Sequence, residues 1–248
     1  MNRLVTAAVA AVAALSASGC AYNETLGRNQ FLIVDDATLT QQSDAAWAQT
    51  LRTQPLSRDA AANARIRRVG ERIVQAAGLT DRNWEYALFV NNSPNAFVLP
   101  SGKIGVTTGL LALVRNDDQL ATVIGHEVGH VVARHAAERY STTAVTSVAI
   151  SGVQSVAGDY GRAAGAIGGL GAQLGVLLPF SRNHELEADR IGVDYLQRAG
   201  YKPSEAVALW RLMAQQRQTS NPEFASTHPS DSTRIAALEQ YIAAQGWA

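Results

Sequence analysis

His126-Glu127-Val128-Gly129-His130 brings two imidazoles and a carboxylate into five residues. On a helix, side chains four apart lie on one face, so both histidines can grip a single metal ion. Glu127 is turned from them by about a quarter of a turn. It would flank the metal and take a proton from a water that the metal activates. The competing reading is a pair of surface histidines on an amphipathic helix. Val123, Ile124, Val128, Val131 and Val132 argue against it, because they surround the motif with apolar side chains and imply burial. Buried histidines and a buried glutamate need partners. Gly125 and Gly129 each cost about 1 kcal/mol relative to alanine inside a helix. Their spacing makes sense if another backbone must come close to that face.

A hydrolytic zinc site wants three protein ligands and one open position. The best source of a third is His184-Glu185-Leu186-Glu187-Ala188-Asp189-Arg190-Ile191-Gly192. Glu185 and Asp189 share a helix face, whereas Glu187 points almost the opposite way. That geometry nominates Glu185 as the ligand, and Asp189 as acceptor of the outer N–H of a ligating histidine. Taken alone, the segment reads better as a charged face pairing Glu185 or Asp189 with Arg182 or Arg190; the upstream histidines reverse that preference. His184 is expected to be partly solvated, and His135 to sit on the surface of a charged helix end. The cofactor expected is one Zn2+ per chain.

The elements that must position these groups are legible in outline. Asn116 followed by Gln119 is a capping signal, with Asp117 and Asp118 in the first turn, so a helix runs from 117 to about 134. Trp84–Val90, Ala96–Leu99 and Lys103–Thr107 read as strands around turn clusters. Their small sheet would turn an edge, including Asn95, Ala96 and Phe97, towards the metal helix, where an extended polypeptide could add through main-chain hydrogen bonds. Further helices are expected over Trp47–Gln54, Asp59–Ala77, from Pro203 to about Gln216, and Asp231–Ala244. Residues 142–178 are rich in Ala, Gly and Ser, with Gly161, Gly165 and Gly169 at four-residue intervals. They read either as a packed helical hairpin or as a mobile, membrane-contacting cover.

Four segments together resemble zinc metallopeptidases of the HtpX, CAAX-prenyl-endopeptidase, Oma and BepA/LoiP type. They are Asn95 to Val106 with Thr108-Gly109-Leu110-Leu111, His126 to His130, Glu185 to Asp189, and Thr227-His228-Pro229 with Arg234 six residues past the histidine. The likeness implies a helix-rich α+β, zincin-like (gluzincin) domain with one small sheet. It implies His126, His130 and Glu185 on zinc, Glu127 as base and proton shuttle, and Asp189 in support. His228 would lie near the metal, either stabilising the oxyanion or closing the site, with Arg234 supporting it. It also implies proteolytic quality control of envelope proteins acting on unfolded or flexible polypeptides. A chaperone-like factor for outer-membrane protein assembly and a structural zinc lipoprotein stand as rivals.

Met1-Asn2-Arg3, the apolar run Leu4 to Leu15 and Ser16-Ala17-Ser18-Gly19-Cys20 make a secretory signal. The run is too short for a comfortable membrane span, which needs about twenty apolar residues. It resembles a bacterial lipoprotein signal, which implies a lipidated Cys20 and a periplasmic protein anchored to the outer membrane. The chain thus divides into a signal over 1–19, a tether over 20–44 and the metallopeptidase domain over 45–248. The single cysteine excludes an intramolecular disulfide, and 21 basic against 21 acidic side chains suggest no nucleic-acid partner.

Overall fold

The computed structural model describes residues 20–145, 180–219, 224, 228 and 232–247. Its centre is the helix that carries the two histidines. Helices α1 (Asp36–Thr53) and α2 (Ala60–Ala76) come first, then strands β3 (Glu85–Phe89), β4 (Ala96–Leu99) and β5 (Lys103–Thr107). Short helix α3 (Thr108–Leu113) leads into α4 (Asp117–Val132), and a further helical segment covers 135–145. After it come α5 (Arg182–Arg198), α6 (Ser204–Thr219) and α7 (Ser232–Ala244). The α+β class with a helical majority agrees with the expectation.

Helix α4 starts where its cap predicts. Asn116 accepts from the Gln119 N–H at 2.8 Å, and the Gln119 side chain reaches back to the Arg115 N–H at 2.9 Å. Every residue from Gln119 to His130 is buried, because the sheet, α2, α5 and α6 surround the helix. Its glycines explain the closest approach. A Cβ on Gly129 would stand 2.9 Å from the Ala188 carbonyl oxygen, and one on Gly192 would stand 2.9 Å from the His126 nitrogen. Real Cβ atoms do not come that near, so α4 and α5 touch backbone to backbone only because side chains are missing there.

The three-stranded sheet has the order β3-β5-β4, with β3 parallel and β4 antiparallel to β5. All of β5 is buried as the central strand, while β4 is a free edge among the described residues. The Thr107 N–H donates to the Asn95 carbonyl, and Ala96 pairs with Val106, so Ala96 and Val98 turn their own N–H and C=O groups outward. The sheet is anchored by Trp47, which packs edge-on to Phe89 and Phe97 and donates to Glu85 at 2.8 Å.

Two expectations need correcting. The stretch 20–44 is no loose tether: β1 (Cys20–Asn23) and β2 (Arg28–Phe31) form an antiparallel hairpin, adding a second, two-stranded sheet. Helix α1 also begins at Asp36, well before Trp47. The Asp35 side chain caps it by accepting from the Thr38 N–H, and Leu39, Ser43 and Trp47 bury one residue per turn among polar neighbours. Of the Ala/Gly/Ser-rich stretch, residues 146–178, with Gly161, Gly165 and Gly169, lie outside the described residues. Among the described residues no helix is long and apolar enough to cross a membrane.

Candidate metal centre and active site

His126, His130, Glu185 and His228 are all buried, and one ligand atom from each lies within 4.8 Å of all the others. The Nε2 atoms of His126 and His130 are 3.1 Å apart, a consequence of their four-residue spacing on α4. Glu185 comes from the first turn of α5, which Ser181 caps by accepting from the His184 N–H. Its oxygens lie 3.5 Å from His126 Nε2 and 3.4 Å from His130 Nε2. His228 presents Nδ1 at 3.2 Å to His126 Nε2 and 3.1 Å to Glu185, and Nε2 at 3.3 Å to Glu127.

The hydrogen bonds fix which nitrogen is free. His126 Nδ1 donates to Asp189 Oδ1 at 2.9 Å, so in the neutral imidazole it is Nε2 that carries the lone pair. His130 Nδ1 is 2.8 Å from His135 Nδ1, and by the same logic its Nε2 points a lone pair at the same spot. Two lone pairs and a carboxylate therefore converge in a buried space. Glu127 Oε1 is also buried and receives no hydrogen bond among the described residues. Such a donor set fits a small divalent cation, and nitrogen with carboxylate oxygen is the choice of zinc.

Charge around the site is arranged to match. Burial raises the Glu185 carboxyl, but His228 and Arg234 overcome it and hold the group well below the usual carboxylate range. Asp189 is likewise pushed up by burial and brought below its ordinary value by Arg234 and His126. Glu127 goes the other way: burial raises it, eased by His228, His126 and the Val98 N–H at the strand edge. A carboxylate raised in this manner is a better proton acceptor.

A family model for "Peptidase family M48" matches residues 60–242. Mitochondrial metalloendopeptidase OMA1 of Schizosaccharomyces pombe is 38% identical over 180 residues, 71% of this chain and 52% of that protein. The beta-barrel assembly-enhancing protease of Yersinia pestis is 31% identical over 227 residues, 88% of this chain and 45% of its own length. The corresponding protease of Escherichia coli K12 is 30% identical over 204 residues, 79% of this chain and 42% of its own. The chain belongs to peptidase family M48. It spans about half the length of these curated relatives. Members of this family are zinc metallopeptidases, and among the described residues His126, His130, Glu185 and His228 form a buried group that could hold the ion.

Each residue singled out from sequence can now be placed in the M48 domain. His126, His130, Glu185 and His228 converge, with Glu127 beside them and Asp189 behind His126. Arg234 lies among the acidic groups of the centre. It forks onto Asp189 at 2.5 and 2.8 Å and reaches Glu185 at 2.6 Å, while its guanidinium lies over Trp210. Asp189 and Glu185 thus pair with this distant arginine. Asn95, Ala96 and Phe97 line a cleft of about 550 Å3 together with Glu127, His130 and His228. Phe97 nevertheless spends its ring on Trp47 and Phe89, leaving the strand's main chain to face the cleft. Cys20 is exposed at the start of β1.

His135 is fully buried, contrary to the surface position expected for it. Helix α4 stops at Ala133, and Arg134 adopts a left-handed φ of 55° that turns the chain under His130. His184 is partly solvated, as expected, with 13% of its side chain exposed, and it stacks on His135 with ring centroids 4.2 Å apart. The aromatic walls were also missed: Phe180 stacks on His130 at 3.9 Å, and Phe224 on His228 at 4.5 Å. Neither sits in a pattern that spacing could single out.

Proposed function

We propose that this M48 domain is a zinc endopeptidase of the bacterial envelope that degrades misfolded or misassembled periplasmic and outer-membrane proteins. His126, His130 and Glu185 hold the metal, Glu127 is the base and proton shuttle, and His228 stands where the oxyanion forms. When bound, zinc supplies Lewis acidity that polarises the scissile carbonyl and acidifies water. The chain's own groups do the rest. Glu127, raised by burial, accepts the water's proton and passes it to the leaving amine. His228, between Glu127 and Glu185, offers an N–H to the developing negative charge. Asp189 and Arg234 keep His126 in the tautomer that leaves Nε2 free.

The observation that carries this reading is the juxtaposition of the four-donor cluster with the free edge of β4 in one cleft. The outward N–H and C=O of Ala96 and the C=O of Val98 can bind an extended polypeptide by its main chain, which favours unfolded segments over folded ones. The lipoprotein-like signal ending at Cys20 supports placement at the outer membrane facing the periplasm, with the hairpin folding directly after the anchor. Purified protein should cleave casein or unfolded porin, lose activity to a chelator and regain it with zinc, and be inactive as Glu127→Gln. Equal rates on folded and unfolded forms of one substrate would remove the strand-edge reading.

A second reading is a chaperone-like assembly factor with gated peptidase activity. It draws on His228, which lies close enough to Glu127, Glu185 and His126 to occupy the reaction space itself. The name of the assembly-enhancing relatives points the same way. If Glu127→Gln retains the in vivo role of the wild type, the chaperone reading wins.

A further inference from the structure

His130 has a support that runs out of the matched span altogether. With Nε2 reserved for the metal, His130 Nδ1–H donates to His135 Nδ1 at 2.8 Å. That sets the tautomer of His135, whose Nε2–H donates to Glu187 Oε2 at 2.9 Å. Glu187 is held by Arg28, with Nε at 2.7 Å from Oε1 and Nη2 at 2.9 Å from Oε2. The direction of this line is set at the Arg28 end. Arg28 also forks onto Glu138 at 2.8 and 2.9 Å. Gln30, next along the same face of β2, donates to Glu138 and to the Ala133 carbonyl, both at 2.7 Å. The hairpin therefore grips the turn at 133–134 that brings His135 under His130, as well as the carboxylate that orients it.

We propose that Arg28 is a positioning residue for the zinc ligand His130, acting through Glu187 and His135, so that the N-terminal hairpin is a working part of the metal centre. The inference rests on the reading above that His130 ligates zinc. A hydrogen-bonded carboxylate behind a metal-bound imidazole fixes its ring and raises its basicity, and losing such a partner weakens metal binding about 10–100-fold. Here an imidazole is interposed, so the effect falls at the low end. Glu187 alone would leave its carboxylate free to rotate; the two-pronged grip of Arg28 holds both oxygens in place.

The test is the zinc dissociation constant of the full chain, by chelator competition, alongside the unfolding midpoint of the zinc-stripped protein. Arg28→Gln and Glu187→Gln should each weaken zinc about tenfold. The double variant should weaken it about as much as either single, because both act along one line. Arg28→Lys should recover part of the loss, while Arg211→Gln, a distant exposed control, should match wild type. A purely structural Arg28 would lower the midpoint of the stripped protein and leave zinc affinity alone. Zinc affinity within about twofold of wild type in both singles, or losses that multiply in the double variant, overturns the proposal. Should Arg28→Gln not fold, Glu187→Gln decides by itself, since it keeps the size of the side chain. If wild-type protein binds no zinc, it is the metal reading that fails, and the two failures are told apart.

Discussion

On the His126 side of the centre, the outer nitrogen meets Asp189 directly, and Arg234 clamps that carboxylate from α7. On the His130 side, a second imidazole intervenes before Glu187, and the clamp is Arg28 from β2. The logic is the same: an N–H, a carboxylate and a forked guanidinium. The surroundings are not. Asp189 and Arg234 are 4% and 1% exposed and lie within the matched residues 60–242, whereas the Arg28 side chain is 32% exposed and precedes them. A short dry support fixes His126 firmly, and a longer, wetter one leaves His130 open to adjustment by whatever moves the hairpin.

The first way to probe this contrast is a variant that spares both supports. Glu127→Gln should lower peptidase kcat by about 10²–10⁴-fold while zinc stays at one per chain, measured by casein cleavage and metal analysis. Next, Asp189→Asn should weaken zinc about 10–100-fold and exceed Glu187→Gln in the same chelator titration. The reverse order would break the comparison. Third, Gly192→Ala drives a Cβ to 2.9 Å from the His126 nitrogen, and such overpacking costs about 1–3 kcal/mol. At about 2–4 °C per kcal/mol, thermal unfolding should shift down by roughly 2–12 °C. Smallest is Gly125→Ala, whose nearest contact at 3.0 Å is the rotatable Leu196 Cδ1, although the Gly192 carbonyl at 3.1 Å yields less. A larger shift for Gly125→Ala than for Gly192→Ala would contradict the backbone contact.

The half of the centre that could be read from sequence is the half built by regular spacing. Two histidines four apart, a cap at Asn116, and Glu185 facing with Asp189 all follow from helical periodicity. Glu187 was correctly expected to point away from Glu185, but where it pointed required the hairpin. That hairpin has two four-residue strands in which Arg28 and Gln30 face inward, so no apolar alternation marks it. His135 was misplaced because a continuing helix would have rotated it away from His130. The left-handed turn falls at an arginine, where no glycine signals it. Arg234 and Phe224 come from sequence-distant segments: α7 brings in the arginine by packing against α5 and α6, and Phe224 arrives by stacking on Trp210 of α6.

The missing Cβ atoms at Gly129 and Gly192 have a consequence for which ion the centre accepts. Main chain rests on main chain where α4 meets α5, so the aperture between the imidazoles and the carboxylate cannot dilate without prying two buried helices apart. Ions with bonds of about 2.0–2.2 Å suit it, while calcium, at about 2.3–2.6 Å and wanting six or more oxygens, would be turned away. Two positions outside the donor set would thus decide the radius of the ion that fits.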